Sequence, residues 1–216
     1  MIRSLVQLIP FSVGSAVDVA IAGKIKSIRE DRARTFFDQL ASGEAEITTE
    51  LVQSEDFLHS YFSTVSAALR SRRREKTALF ANLLVGGVRE ASLDESDDYE
   101  ELVAVMDSMS LREIESLFVI DSEETANARV ASDDDLTWVR RHLPSVSDRL
   151  RDELGIPESE TENFIQRLSR TGLVEKVTLG NETVMSATIS VGWGAFRVTS
   201  RYKRLKALIQ SGRHAA

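Results

Sequence analysis

Apolar positions recur at helical spacing along most of this chain, and the rhythm gives way to strand-like alternation only near the C-terminal end. Leu5 to Gly23 is a nearly continuous apolar run with Asp18 its only charge. After Lys24 the pattern turns amphipathic, with Ile25, Ile28, Phe36, Phe37 and Leu40 set among charges, and Ser42-Gly43 predicts the end of that helix. Ser54, followed by Glu55 and Asp56, reads as an N-cap with acidic residues in the first turn, where the helix dipole favours them. From there Leu58, Phe62, Val65, Leu69, Lys76, Leu79 and Leu83 predict one long helix, stopped by Gly86-Gly87. Tyr99, Leu102, Val103 and Met106 mark a short helix, and Ser110-Leu111-Arg112-Glu113 is a capping box leading into Ile114, Leu117 and Phe118.

Further on, Leu136, Val139 and Leu143, with Trp138 beside them, predict a short helix ended by Pro144. Ser145 caps the next, with Val146, Leu150 and Leu154 inward. Gly155 closes it and Pro157 opens another, an arrangement suited to a tight turn between helices. Thr161, Phe164, Ile165 and Leu168 fall at i, i+3, i+4 and i+7 of that third helix. Gly172 ends it, Leu173 to Leu179 alternates as a strand, Gly180-Asn181 makes a turn, and Val184 to Thr199 returns as a longer strand. Arg201 to Gln210 is a last helix with Tyr202, Leu205, Leu208 and Ile209 inward.

Charge divides the chain more sharply than its net of −7 suggests. Residues 1–93 carry 12 basic and 11 acidic side chains, residues 94–135 carry 2 and 15, and residues 136–216 carry 13 and 8. The expected organisation is therefore a helical domain over 1–93 with an apolar N-terminal segment, an acidic helical connector over 94–135, and a third section over 136–216. Length and an apolar content of 42% suffice for one large core or two small ones.

The third section resembles the winged helix-turn-helix domains of bacterial proteins. The likeness is carried by Leu154-Gly155-Ile156-Pro157, then Phe164-Ile165 with Leu168, then Gly172-Leu173-Val174, and by Phe196-Arg197-Val198-Thr199 before the closing helix. It covers roughly residues 135–211. The N-terminal helical part resembles no family. The expected fold class is thus mainly α with a small β-hairpin wing: an N-terminal helical domain followed by a winged helix-turn-helix.

If the resemblance holds, residues 157–171 take the place of the DNA-reading helix. DNA readers dock the start of that helix in the major groove behind Arg, Lys, Asn or Gln. Here it opens Pro157-Glu158-Ser159-Glu160-Thr161-Glu162, which sets three carboxylates where a polyanion would lie. Asn163, Gln166, Arg167 and Arg170 on the outer side are the suitable residues, and the wing tip Gly180-Asn181-Glu182-Thr183 carries no cation. Specific duplex binding through this face is disfavoured, so a protein partner or a second copy of the chain is the expected occupant.

Two clusters could contact a partner or phosphate groups: Arg70, Arg72, Arg73, Arg74 and Lys76 in the front section, and Arg201, Lys203, Arg204 and Lys206 on the last helix. Clustered arginines bind anions by charge and forked hydrogen bonding. A solvated face that pairs with the acidic connector of the same chain explains them as well, and a fold-back of that connector is expected. Nucleic acid through these patches, and a membrane through residues 5–23, are the alternative partners. Gln7, Pro10, Ser12, Gly14, Ser15 and Asp18 dilute the apolar run relative to a membrane span, and Asp18 would sit inside the apolar part of a signal peptide. A buried or partner-covered helix is the expected state.

No residue set points to catalysis. Cysteine is absent, which excludes disulfides and thiolate metal sites and accords with a cytoplasmic setting. His59, His142 and His214 share no ligand spacing and read as surface or boundary residues. Asp133-Asp134-Asp135 lacks the alternation, glycine and closing glutamate of a calcium loop, and the abundant carboxylates show no pocket that would make them a glycosidase or metal-nuclease pair. Gly192-Trp193-Gly194 falls in a predicted strand, where a bulge is expected, not a phosphate loop. Without catalytic, cofactor or metal residues, the chain is expected to be a regulatory or adaptor protein. A DNA-binding transcription regulator and a membrane-acting effector of a bacterial toxin or defence system are the alternatives.

Overall fold

In the computed structural model, residues 16–43, 47–94, 96–128, 135–177 and 195–213 are described. They are mainly helical, with one small antiparallel strand pair. The elements are α1 (Ala16–Ser42), α2 (Thr49–Gln53), α3 (Glu55–Arg70), α4 (Arg74–Arg89), α5 (Ser96–Ser108), α6 (Leu111–Ala126), α7 (Asp135–Leu154), α8 (Glu158–Ser169), β1 (Val174–Val177), β2 (Ala195–Val198) and α9 (Ser200–Ser211). A single 3-10 turn at Ser92–Asp94 joins α4 to α5.

α4 is the axis of the molecule. From Lys76 to Gly87 it is buried, Ala78 alone being half-buried, because α1, α3 and α9 all pack around it. Its sequence explains the position: Leu79-Phe80-Ala81-Asn82-Leu83-Leu84-Val85 offers no polar face to solvent, and a helix apolar all round must be enclosed. One apolar cluster then takes in Phe80, Leu83 and Leu84 of α4, Tyr99 and Met106 of α5, Leu117 and Ile120 of α6, Phe164 and Leu168 of α8, and Tyr202 and Leu208 of α9.

Gly86 and Gly87 do not stop this helix, contrary to the sequence reading. They lie inside it, and their role is packing. A Cβ on Gly86 would fall 1.9 Å from the Leu208 carbonyl oxygen, and one on Gly212, just beyond α9, would fall 1.9 Å from the Asn82 carbonyl oxygen. The α4 and α9 backbones therefore touch at two points that admit no side chain.

The expected long helix is also two helices. Ser71 (ψ 137°) and Arg73 (ψ 133°) are extended and part α3 from α4. The carbonyls this frees find donors: Ala68 receives the Ser71 N–H and the Thr77 hydroxyl, and Arg72 receives the Arg32 guanidinium at 2.8 Å. Four arginines within five residues repel one another along one helix, which favours a break there.

Pro144, expected to end a helix, does not. It lies within α7, which continues to Leu154. Proline forfeits one backbone hydrogen bond, but Trp138 and His142 before it and Val146 and Leu150 after it are all buried. A continuous inner face outweighs the local penalty. The side chains of Leu136, Val139 and Leu143 lie outside the described set.

Other local readings agree with the structure. Ser54 caps α3 through the Phe57 N–H, and Ser110 with Glu113 forms a complete capping box on α6. Gly155 (φ 61°) and Gly172 (φ 71°) take the left-handed conformation that ends α7 and follows α8. β1 pairs with β2 in the register Val174↔Val198 to Val177↔Ala195. The expected turn at Gly180-Asn181, most of the longer strand, Gly192-Trp193-Gly194, Asp133-Asp134, His214 and residues 5–15 lie outside the described residues.

Candidate functional site

The acidic connector folds back onto both basic clusters. At the α3–α4 break, Arg70 donates to Asp107 at 2.8 Å. Lys76, only 7% exposed, donates to the main-chain carbonyls of Asp107 at 2.9 Å and Met109 at 2.5 Å, and lies 5.7 Å from the centre of the Phe80 ring. These carbonyls end α5, so the ammonium satisfies groups that a helix terminus leaves orphaned and meets the negative end of its dipole. Burial lowers the Lys76 pKa, while the carboxylates of Asp107 and Glu113 act in the opposite direction.

Arg74 grips Asp31 of α1 with one edge of its guanidinium, Nε and Nη2 each donating to one carboxylate oxygen. Those hydrogen bonds hold the Asp31 carboxyl below its ordinary value. Arg72 and Arg73 stand exposed, and among the described residues neither makes an ion pair.

The second cluster meets the same segment. Arg201 reaches Glu101 at 2.7 Å, Arg204 reaches Asp98 at 2.7 Å, and Lys206 reaches Asp121 at 2.5 Å. Lys203 is exposed. The Arg201 and Arg204 pairs, open to water, add about 0–1 kcal/mol each, while the Lys206 pair rests on the buried Asp121. Their larger effect is electrostatic, since cations matched to carboxylates in the same chain present little net charge to an external polyanion.

Between α6, α7, β2 and α9 lies a buried polar junction that the sequence reading missed. Glu123, buried, accepts hydrogen bonds from Ser145 and from Arg149 at 2.8 Å. Burial works against its charge, but those donors prevail and lower its pKa, while the Arg149 pKa is raised by its bonds to Glu153 and Glu123. Glu124 accepts the Val198 N–H at 2.9 Å, tying α6 to the strand pair.

His142 is 1% exposed and stacks on Trp138, whose indole N–H donates to the Asn127 carbonyl at 3.0 Å. It is thus a core residue, not a surface one. Its ring nitrogens face the carbonyls of Glu123 and Phe196 without reaching hydrogen-bond geometry, and burial depresses its pKa despite the neighbouring Glu124 and Glu123. The Tyr202 hydroxyl is likewise buried with no hydrogen-bond partner among the described residues, and burial raises its pKa. A lone histidine at helical spacing from a tryptophan carried the signal for this junction, although the distant acidic partners could not be read from spacing.

α8 turns Thr161, Phe164, Ile165 and Leu168 inward, as its spacing predicts. Glu158, Ser159, Glu160, Asn163, Gln166, Arg167 and Arg170 are exposed on its outer side. Arg167 lies over the Phe164 ring at 5.0 Å and 3.9 Å from Glu113 of the connector. Arg170 makes no ion pair among the described residues. The exposed face thus opens with carboxylates and ends with two arginines. No group of three or more His, Asp or Glu among the described residues is arranged to hold a metal ion, and none of their helices is long and apolar enough to cross a membrane.

No protein-family model matches this chain, and no curated protein and no solved structure is matched by it.

Proposed function

We propose that this chain is a non-enzymatic regulatory or adaptor protein, whose C-terminal section is a winged helix that presents the outer face of α8 to a protein partner. The observation that carries this reading is the disposition of charge. Of the eleven cations that could have met phosphate, Arg70, Lys76, Arg167, Arg201, Arg204 and Lys206 lie against the acidic connector, and Arg74 lies against Asp31. The exposed start of α8 is acidic. A surface of mixed charge with an acidic leading edge suits a basic protein surface better than a nucleic-acid backbone.

The test is capture of a defined partner from the native host with the full chain, repeated with Glu158→Lys/Glu160→Lys. Loss of that partner with the fold retained is the expected result. An unchanged complex would place recognition elsewhere.

A DNA-binding regulator is the second reading, favoured by exposed Arg170 and weakly paired Arg167 at the end of the same face. Retardation of duplex DNA at physiological salt, abolished by Arg167→Gln/Arg170→Gln, would replace the first reading with this one. The membrane-acting alternative depends on residues 5–23. Leakage from anionic vesicles on adding the full chain, abolished by a charge within that run, would favour it over both.

A further inference from the structure

The polar junction between α6, α7, β2 and α9 encloses a titratable ring that it does not solvate. His142 of α7 is 1% exposed, and both ring nitrogens are buried without a hydrogen-bond partner among the described residues. Trp138, one helical turn earlier, stacks on the ring with centroids 4.7 Å apart. The Glu123 carbonyl of α6 and the Phe196 carbonyl of β2 face the ring nitrogens. A neutral imidazole has one N–H to donate and an imidazolium has two. Water would satisfy the ring in either state. Its exclusion costs most for the charged one.

The charges of the junction do not offset that cost. Glu123 is engaged by Ser145 and Arg149 of α7. The Glu124 carboxylate favours a protonated ring, but it accepts the Val198 N–H at 2.9 Å. From α9 come the uncharged Tyr202 hydroxyl and Lys206, which is bound to Asp121 of α6. Arg197 of β2 pairs with Glu175 on the exposed side of the strands. Burial accordingly prevails over both carboxylates at His142.

The cover over this ring is weakly self-supporting. β1 and β2 pair over four residues each, and a two-stranded ribbon is marginal by itself in water. What retains it on α6 is the burial of Phe196 and Val198 and the Val198 N–H bond to Glu124. The helices packed around α4 are α1, α3 and α9, a separate set of contacts. We propose that His142 is a proton-operated latch: uptake of a proton by its ring lifts the β1–β2 ribbon from α6 and admits water, while α1, α3, α4 and α9 stay folded. Local openings cost less than global unfolding, and a proton that binds the open form more tightly shifts the population toward it. β1 also packs on α8, so release alters the flank of the exposed α8 face. The latch stands whether or not a partner binds there.

Native-state hydrogen exchange of the full chain, corrected for the intrinsic effect of pH, tests it. Between about pH 7.5 and about pH 5.5 the opening constant read at the Val198 amide should rise several-fold, to at most about tenfold, the limit set by one proton over one unit below the ordinary value of 6.5. That exchange should be insensitive to urea up to about 1 M, because a local opening exposes little surface, whereas exchange at Leu83 in α4 should accelerate. His142→Phe should abolish the acid response. The carbon-bound ring protons of His142 in the unaltered chain give a measure independent of that variant, and they should titrate below pH 6.5. Four results would overturn the latch: a Val198 amide that follows Leu83 in its urea dependence, an acid response of less than about twofold, a response retained in His142→Phe, or a ring that titrates at or above its ordinary value.

Discussion

Gly86→Ala separates two physical effects of opposite sign. In an exposed helix, replacing glycine with alanine adds about 1 kcal/mol of stability. At Gly86 the new Cβ would sit 1.9 Å from the Leu208 carbonyl oxygen, where real Cβ contacts do not fall below 3.0 Å. α9 would have to retreat from α4 by more than 1 Å, and the obstacle is backbone that no rotamer change relieves. Overpacking of this kind costs about 3 kcal/mol, the upper part of the usual range. The clash therefore outweighs the propensity gain, and a net loss of about 2 kcal/mol is expected, which in a chain of this size lowers the thermal midpoint by roughly 4–8 °C.

Gly23→Ala is the internal control. Gly23 lies in the exposed part of α1 with nothing within 4 Å of its added Cβ. That variant should gain about 1 kcal/mol, or roughly 2–4 °C. Calorimetry or far-UV circular dichroism melting of the two variants beside the parent decides the matter. If Gly86→Ala melts at or above the parent, the close approach of α4 and α9 is wrong.

Lys76→Met should destabilise by about 2–3 kcal/mol, because two charge-assisted hydrogen bonds are lost and the end carbonyls of α5 are left short of donors; urea denaturation measures it. His142 should make stability fall on acidification. Its folded pKa is depressed, so the unfolded chain binds the proton first, and the loss begins near pH 6.5 and ends at the folded pKa. His142→Phe should flatten the stability curve on the acid side of pH 6.5. Glu123, whose pKa is lowered, adds stability that is present above its ordinary value of 4.5 and is lost as pH falls through the folded value; Glu123→Gln should remove that share of the acid transition. Finally, about 1 M salt screens beyond roughly 3 Å and should loosen protease protection at 201–206, whose pairs are partly exposed. The buried Lys76 contact should resist it.

Local grammar was legible in the sequence. Ser54, the Ser110–Glu113 box, Gly155 with Pro157, and the inner faces of α8 and α9 were all readable, because caps, left-handed glycines and 3.6-residue spacing act within a few residues. The fold-back of the acidic connector was legible as well, since strong charge segregation leaves few ways to neutralise it. Contacts between distant segments were not. Gly86-Gly87 reads as a helix stop until α9 is seen to press on it. Pro144 reads as a break until the inner face on both sides of it is buried. The chain alone thus determined the caps and left-handed glycines that bound several helices, the inner faces of α8 and α9, and which charged segments must meet. Only tertiary packing decided where a backbone may touch a backbone, whether a helix continues through its proline and which histidine is lost from solvent, because those outcomes depend on segments far apart in sequence competing for the same space.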